Sequence, residues 1–504
     1  MNGYRYQGTI TVFLSLVCVL FLSLICTLVE SARLQGVRAW AAAVTDMGLF
    51  SVFGEYEREL LERYDVLFLD GAYGTGDFEP ERLALQMREF MRYNAEPSDD
   101  LETADGWNLF PMDIKGCRVT GYTLATDEEG SAFYQQVVRD IRENLGTELL
   151  LKYQESSREA KRQKEDAEAY EKKDAIAWDE LEKLEEEQEQ AERQDAESSE
   201  QAKETKEDLP EMKMENPLEE IRKIKKMGIL GLVVKDPARV SDKSIVKSSL
   251  PSGRKRNQGN LPVEKKYTGL AADAIFQDYL MGHFGTWQSP EKEGGLAYPL
   301  EYILMGKESD KENLKAVVNR LLWLREGANF LYLLSDTKMR SQAAALAAGI
   351  VGAAPVPGLT AALEGVLLLA WAYGESLMDV RTLLSGGRIA AVKDASTWKL
   401  SLANLAKVTE LLKTCDDGGG EGQDYTDYLR ILLLAGEKEK YPLRALDMME
   451  CVFASETMRA DAWVVRGKVQ VLWRFPSVFL RVPETFLGVS GEETGYEVTG
   501  SFGY

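Results

Sequence analysis

Apolar and polar positions change their spacing several times along the chain, and each change marks an element. Residues 9–29 (TITVFLSLVCVLFLSLICTLV) form 21 consecutive positions without a charge. At about 1.5 Å rise per residue, a helix of that length spans roughly 30 Å, the thickness of a bilayer core. The run therefore predicts a transmembrane anchor. Past it, ESARLQGVRAWAAAVTDMGLFSVFGEYERELLERYDVLFLD keeps a helical period. Leu49, Val52, Phe53, Tyr56, Leu60, Leu61 and Tyr64 form one apolar stripe, opposite Glu55, Glu57, Arg58, Glu59, Glu62 and Arg63. That spacing predicts a stem helix over 30–70, packing its stripe on the chain's own domain or on a neighbour. The GAYGTG of residues 71–76 reads as a turn, because it lacks the Lys-Ser/Thr of a phosphate loop and follows a helix.

Further on, the pattern predicts a short helix near residues 80–91 and a strand over 117–126 (CRVTGYTLAT). The acidic turn at 127–130 closes that strand, and a helix follows over 131–150. Residues 152–206 are dominated by Glu, Lys, Gln, Arg and Ala, with 11 acids against 2 bases between Asp179 and Glu200. Tyr170, Ile176, Trp178, Leu181 and Leu184 do not sustain a heptad, so a solvated helix or an acidic linker is expected. A basic helix over 218–227 precedes ILGLVV (229–234), which reads as a strand or a buried extended run. Residues 241–266 are polar and read as a solvated loop, with Arg254, Lys255 and Arg256 able to meet the acidic segment or a phosphate surface.

The second half is strongly helical. Ser309 and Glu312 form a capping-box pattern ahead of a helix to about 334. Further helices cover 338–351, 359–384, 399–413, 425–434 and a stretch near 442–459. Pro355 and Pro357 interrupt the apolar stretch 343–363, so it reads as a buried helical hairpin rather than a second membrane span. Residues 460–482 and 496–504 are rich in β-branched and aromatic residues and read as strands able to pair with 117–126. The fold class expected is mainly α with a small β portion. It divides into a leader (1–8), anchor (9–29), stem (30–70), small α+β region (71–150), acidic segment (151–217), helical domain (218–459) and C-terminal β region (460–504).

Composition narrows the function classes. Hydrophobic residues make up 45% of 504 positions, enough for real cores, and the net charge of −22 argues against nucleic acid and against broad contact with anionic lipid. Five cysteines are too few for a disulfide framework. Cys18 and Cys26 lie in the apolar run, and Cys117, Cys415 and Cys451 allow at most one bridge. The single histidine, His283, sits between Gly282 and Phe284 and reads as packed or exposed. No HExxH, GxSxG or P-loop is present. Glu375 and Asp379, one turn apart, share a helix face. Without a nearby His or third ligand they read as a solvated face; an envelope enzyme using carboxylates such as Glu364, Glu375 and Asp379, and a generic single-pass envelope tether or scaffold, are the alternative readings. No cofactor, metal or small-molecule substrate is expected, nor is an enzyme.

Three readings fit the anchor: a cleaved secretory signal, a permanent signal anchor, and a prepilin-like segment cut at the Gly8-Thr9 junction and retained as an assembly stem. Phe13 stands five residues into the last of these, where a mature prepilin carries Glu. The segments GTITVFLSLVCVLFLSLICTLVESARLQG, SVFGEYERELLERYDVLFLDGAYG, YTLATDEEGSAF, EYILMGKESDKENL and LREGANFLYLLSD resemble an uncharacterised membrane-protein family of anaerobic Gram-positive bacteria. The N-terminus is similar to TadE/TadG minor pseudopilins. The resemblance implies a single-pass protein with a large extracytoplasmic body, partnered by subunits of tight-adherence pilus or secretion machinery.

Overall fold

The computed structural model describes residues 3–95, 110–144, 147–199, 217–352, 356–414, 421–453, 457–479 and 494–504. The chain is mainly α-helical with one small antiparallel sheet, and it folds as two compact units, each assembled from separate stretches of sequence. The first unit takes residues 1–136, 254–266 and 453–504, and the second takes 137–253 and 267–452. This grouping crosses the linear segments laid out above. The C-terminal strands join the stem, and part of the polar 241–266 stretch belongs with them.

In the first unit, α1 (Gly3–Phe53) runs unbroken from the apolar segment into the folded body. It stops earlier than the expected 30–70 stem. Gly54 ends the helix with its N–H donating to Phe50 O at 2.9 Å. A short α2 (Arg58–Tyr64) then starts on the Glu57 side chain and closes at Asp65 in the left-handed region, φ 49°. A two-residue strand, β1 (Leu69–Asp70), leads into the 71–76 turn, so the turn follows a strand and not a helix. Next come α3 (Pro80–Ala95), β2 (Asp113–Leu124) and the start of α4 (Asp127–Asn144). The sheet is completed by β3 (Trp463–Phe475) and β4 (Thr494–Gly503).

Central β3 pairs with β2 along one edge (Val119↔Val469), and with β4 (Val471↔Val498) and β1 (Asp70↔Trp463) along the other. The pairing expected between the C-terminal strands and 117–126 is thus formed through β3. Alternate β3 residues, Val469, Val471, Trp473 and Phe475, point into a core closed by Val44, Leu49, Val52 and Phe53 of α1 and Leu83, Met87 and Met91 of α3. The stem stripe therefore packs on the chain's own sheet as far as Phe53. Gly500 of β4 makes the approach close: a Cβ there would lie 2.6 Å from Leu49 Cδ1. Trp473 Nε1 donates to Thr45 Oγ1 at 3.1 Å, and the Tyr504 hydroxyl donates to Phe53 O.

The polar loop is not merely solvated. Residues 254–266 form an ordered strap along β2 and the turn that follows it. Asn260 N donates to Tyr122 O at 3.1 Å, Tyr122 N returns the bond to Asn260 Oδ1 at 2.8 Å, and Gly259 N donates to Asp127 Oδ1 at 2.9 Å. Arg254 pairs with buried Asp461, and Arg256 meets Glu129 at 2.6 Å, so these cations are engaged within the unit.

The second unit is helical. The acidic stretch forms α5 (Thr147–Ser199), which is neither an extended linker nor a freely solvated helix. It buries Ala160, Ala167, Tyr170 and Leu181. Then follow α6 (Leu218–Lys226), α7 (Ile229–Val233), α8 (Leu270–His283), α9 (Pro299–Met305), α10 (Asp310–Ser335), α11 (Thr337–Val351), α12 (Leu359–Leu384), α13 (Val408–Thr414), α14 (Tyr425–Ala435) and α15 (Tyr441–Val452). The ILGLVV run is helical, not extended, because Gly228 and Val234 bound a single turn that buries Ile229 and Val233. The expected 399–413 helix opens as 3-10 turns over Leu402–Lys407 before α13. Ser309 caps α10, its Oγ accepting from Glu312 N at 3.3 Å. α12 is buried from Val366 to Leu384 against α10 and α11. α5 docks on α10 where Gly327 leaves room: a Cβ there would lie 2.8 Å from Ala167 Cα. Tyr170 and Phe330 meet edge-on beside that contact, with centroids 5.5 Å apart.

Candidate functional site at the exit of the apolar helix

From Ile10 to Val29 the side chains of α1 touch almost nothing in the protein: Phe13 is 67% exposed, Leu20 65% and Ile25 55%. Apolar side chains exposed over so long a run have the length and composition of a membrane span or of a signal sequence. Among the described residues this is the one helix long and apolar enough to cross a membrane.

The surroundings change within one turn. Glu30 and Arg33 are both buried. Arg33 grips Glu30 with two bonds, Nε at 2.9 Å and Nη2 at 2.6 Å, and Nη2 also donates to Pro476 O at 2.9 Å. The Glu30 carboxylate in turn accepts from Ser477 Oγ at 3.2 Å, Val478 N at 3.4 Å and Phe479 N at 3.2 Å. Two opposite charges and the backbone leaving β3 thus satisfy one another at the point where the apolar run ends. A bidentate, multiply hydrogen-bonded pair of this kind is the form in which buried charge is tolerated. It ties the anchor to the sheet through the chain that leaves its central strand. The Gly8-Thr9 junction falls within the helical backbone of α1, well before this collar.

The carboxylates singled out in the sequence occupy a different setting from the solvated face expected of them. Glu375 and Asp379 lie on the buried face of α12, both fully enclosed. Lys393 pairs with Glu375, and its Nζ lies 2.6 Å from Asp379 Oδ1. Arg325 Nε donates to Asp379 Oδ2 at 3.0 Å, and Arg325 Nη1 to the Tyr428 hydroxyl at 2.9 Å. Glu375 also accepts from Lys399 N and Leu400 N at 3.0 and 2.7 Å. Burial raises the cost of charge on Asp379, but Arg325 and Lys393 outweigh it and hold its carboxyl below the usual range. Two carboxylates facing two buried cations form a structural network, in which Asp379 Oδ1 meets Lys393 as an ion pair and accepts no hydrogen bond. Glu364 lies about three turns earlier on α12, half-buried, and does not join them.

His283 stacks on Tyr279 with centroids 4.3 Å apart, and its Nδ1 lies 2.9 Å from Tyr279 O. Burial pushes the Cys117 thiol up to about 11 and the Cys451 thiol up to about 12, so both stay protonated at neutral pH. Both are free thiols. Cys415 lies outside the described residues. Among the described residues, no group of three or more His, Cys, Asp or Glu side chains is placed to hold a metal ion.

Sequence reasoning missed the Glu30–Arg33 collar. Its local signal, opposite charges at i and i+3 directly after an apolar run, is present, but its partners at 476–479 are more than 440 residues away. No curated protein and no solved structure matches the chain. Residues 207–473, which exclude the anchor and include the network around Asp379, match a family model, and the chain belongs to that family of unknown function (DUF5702).

Proposed function

We propose that the protein is a single-pass, membrane-anchored structural component of the cell envelope, its body standing outside the membrane, and that it serves tight-adherence pilus or secretion machinery in the manner of a minor pseudopilin. The observation that carries this reading is the continuity of α1: one helix passes from a fully exposed apolar run, through the sealed Glu30–Arg33 pair, into the core of a folded unit. An anchor joined rigidly to its body suits a part that transmits position or load between membrane and assembly. Two features speak against other roles. The docking of α5 on its own helical unit speaks against residues 147–199 serving as a free spacer, and the pairing of Glu375 and Asp379 with buried cations disfavours carboxylate catalysis.

The decisive experiment is fractionation combined with protease treatment of intact cells. A membrane-bound protein whose body is digested from outside is expected. Leu20→Arg, which places a cation at mid-span at a cost of about 2.5–3.5 kcal/mol, is expected to release a share of the protein. A wholly soluble wild type, or a body protected in intact cells, overturns the reading. Cross-linking should recover pilus or secretion subunits, and mass spectrometry of the N-terminus, reading Thr9 or Met1 as the first residue, decides whether the Gly8-Thr9 bond is cut.

A further inference from the structure

The second unit carries a groove of about 670 Å³ between α5, the end of α9, α10 and the α14–α15 connection. Its floor is apolar, with Leu304, Leu324 and Leu432 each under 10% exposed. Trp323 forms a wall, held in place by Nε1 donating to Glu171 Oε2 at 3.1 Å. The Arg320 guanidinium lies over that ring, 5.7 Å from its centroid. Three cations line the groove, Lys164, Lys307 and Arg320, in a chain whose net charge is −22. Lys164 is committed to Ala435 O at 3.1 Å. Of the two lining carboxylates, Glu171 takes the indole N–H and Glu437 is paired with Lys440 at 2.8 Å. Lys307 and Arg320 make no ion pair within 4.0 Å among the described residues, although the Arg320 charge reaches the Glu437 carboxylate and helps hold it low after the larger effect of Lys440.

The volume lies within the range of small-ligand pockets, which combine an apolar lining with a few orienting polar groups. Two cations free of salt bridges beside an aromatic wall and an apolar floor select one ligand chemistry. We propose that this groove binds a small amphipathic organic carboxylate, its aryl or alkyl body on the Leu304–Leu324–Leu432 floor and its carboxylate against Arg320 and Lys307. Charge-assisted bonds to the carboxylate supply orientation, and the apolar floor supplies the bulk of the contact. This inference is independent of the membrane reading, since every residue involved lies in the helical unit.

The test uses the full chain in zwitterionic lipid nanodiscs, with empty nanodiscs as reference, and titration calorimetry with three probes of one shape: naphthoate, naphthylmethanol and naphthylmethylammonium. Saturable one-to-one binding of naphthoate is expected, weaker at high salt, with the neutral probe at least about tenfold weaker and the cationic probe weaker still. The exposed pair K307A/R320A should lower naphthoate affinity by at least about tenfold while leaving naphthylmethanol binding and the circular dichroism spectrum unchanged. Leu324→Ala should weaken both probes. Equal binding of the neutral and anionic probes, undiminished naphthoate affinity in the double variant, or binding no greater than to empty nanodiscs overturns the proposal.

Discussion

Arg325 donates through Nε to the Asp379 carboxylate at 3.0 Å, fifty-four positions away in sequence and wholly inside the helical unit. The bond joins α10 to α12, and Lys393 meets the same carboxylate from the chain that follows α12. Removing one partner of such a pair leaves charge stranded in the core, a loss of about 3–5 kcal/mol. Arg325→Met is therefore expected to lower the unfolding free energy of the helical unit by that amount, read from the urea transition of the full chain by tryptophan fluorescence. R325M/D379L, which removes both charges, should recover part of the loss. A single variant within 1 kcal/mol of wild type, about the worth of an exposed pair, sinks the account.

Glu301 gives the same unit a pH dependence. Burial pushes its carboxyl up to about 7, against bonds from Trp287 N at 2.8 Å and the Tyr425 hydroxyl at 2.8 Å. Asp447, buried beside Tyr302 and Ser252, is pushed up to about 6. A carboxyl with a raised folded pKa holds its proton in the folded state after the unfolded chain has lost its own. Through these two groups stability falls as pH rises from about 4 to 7, and Glu326 of the same unit, pushed up to about 8 by burial, carries the fall to about pH 8. The Glu301 contribution is on the order of 3 kcal/mol. Glu301→Gln should leave stability near pH 5 unchanged and raise it near pH 8, flattening the curve. An unaltered slope in the variant excludes Glu301 as the source.

The strap over 254–266 makes a sharper demand on one residue. A Cβ at Gly259 would overlap Asp127 Oδ2 and stand 2.6 Å from Tyr122 O. Gly259→Ala should force the strap away from β2, at a local cost of about 1–3 kcal/mol. Trypsin cleavage at Arg254, Lys255 and Arg256 should then be roughly tenfold faster or more. Gly228→Ala, at a position with open space around it, serves as the control. Equal cleavage rates in both variants would show that the strap does not depend on this contact.

Local pattern carried the helices furthest. The bounds of α12 follow from the prolines before Leu359 and the loss of apolar period after Leu384, and β3 declares itself through its β-branched and aromatic residues. What stayed hidden depends on distant partners. ILGLVV is too short for periodicity to separate helix from strand. The burial of Glu375 and Asp379 rests on Arg325 and Lys393, and carboxylates are ordinarily exposed. The strap needs Asp127 and Asp461, each over a hundred residues away. Small residues hid the docking of α5: Ala160 and Ala167 carry its contact face and barely register as an apolar stripe. The 30–70 stem was overextended because its period continues past Gly54, where the backbone ends the helix all the same.

The collar at the end of the apolar run can be tested where it touches the chain leaving β3. Glu30 accepts from the amides of Val478 and Phe479, and Arg33 holds both Glu30 and Pro476 O. Glu30→Gln keeps the shape and the acceptor oxygen but deletes the charge that strengthens every one of these bonds. A charge-assisted bond contributes about 1.5–3 kcal/mol, so losing the assistance should open the 476–479 stretch locally by at least about 1.4 kcal/mol. Hydrogen exchange at Val478 and Phe479 is then expected to quicken about tenfold, with amides of the β3 core such as Val469 unchanged. Arg33→Gln should do the same and additionally leave Glu30 a buried charge without its cation, which makes it the more damaging of the two. If the 477–479 amides exchange at the wild-type rate in both variants, the collar does not fasten the apolar helix to the sheet, and the mechanical argument for a rigid stem fails with it.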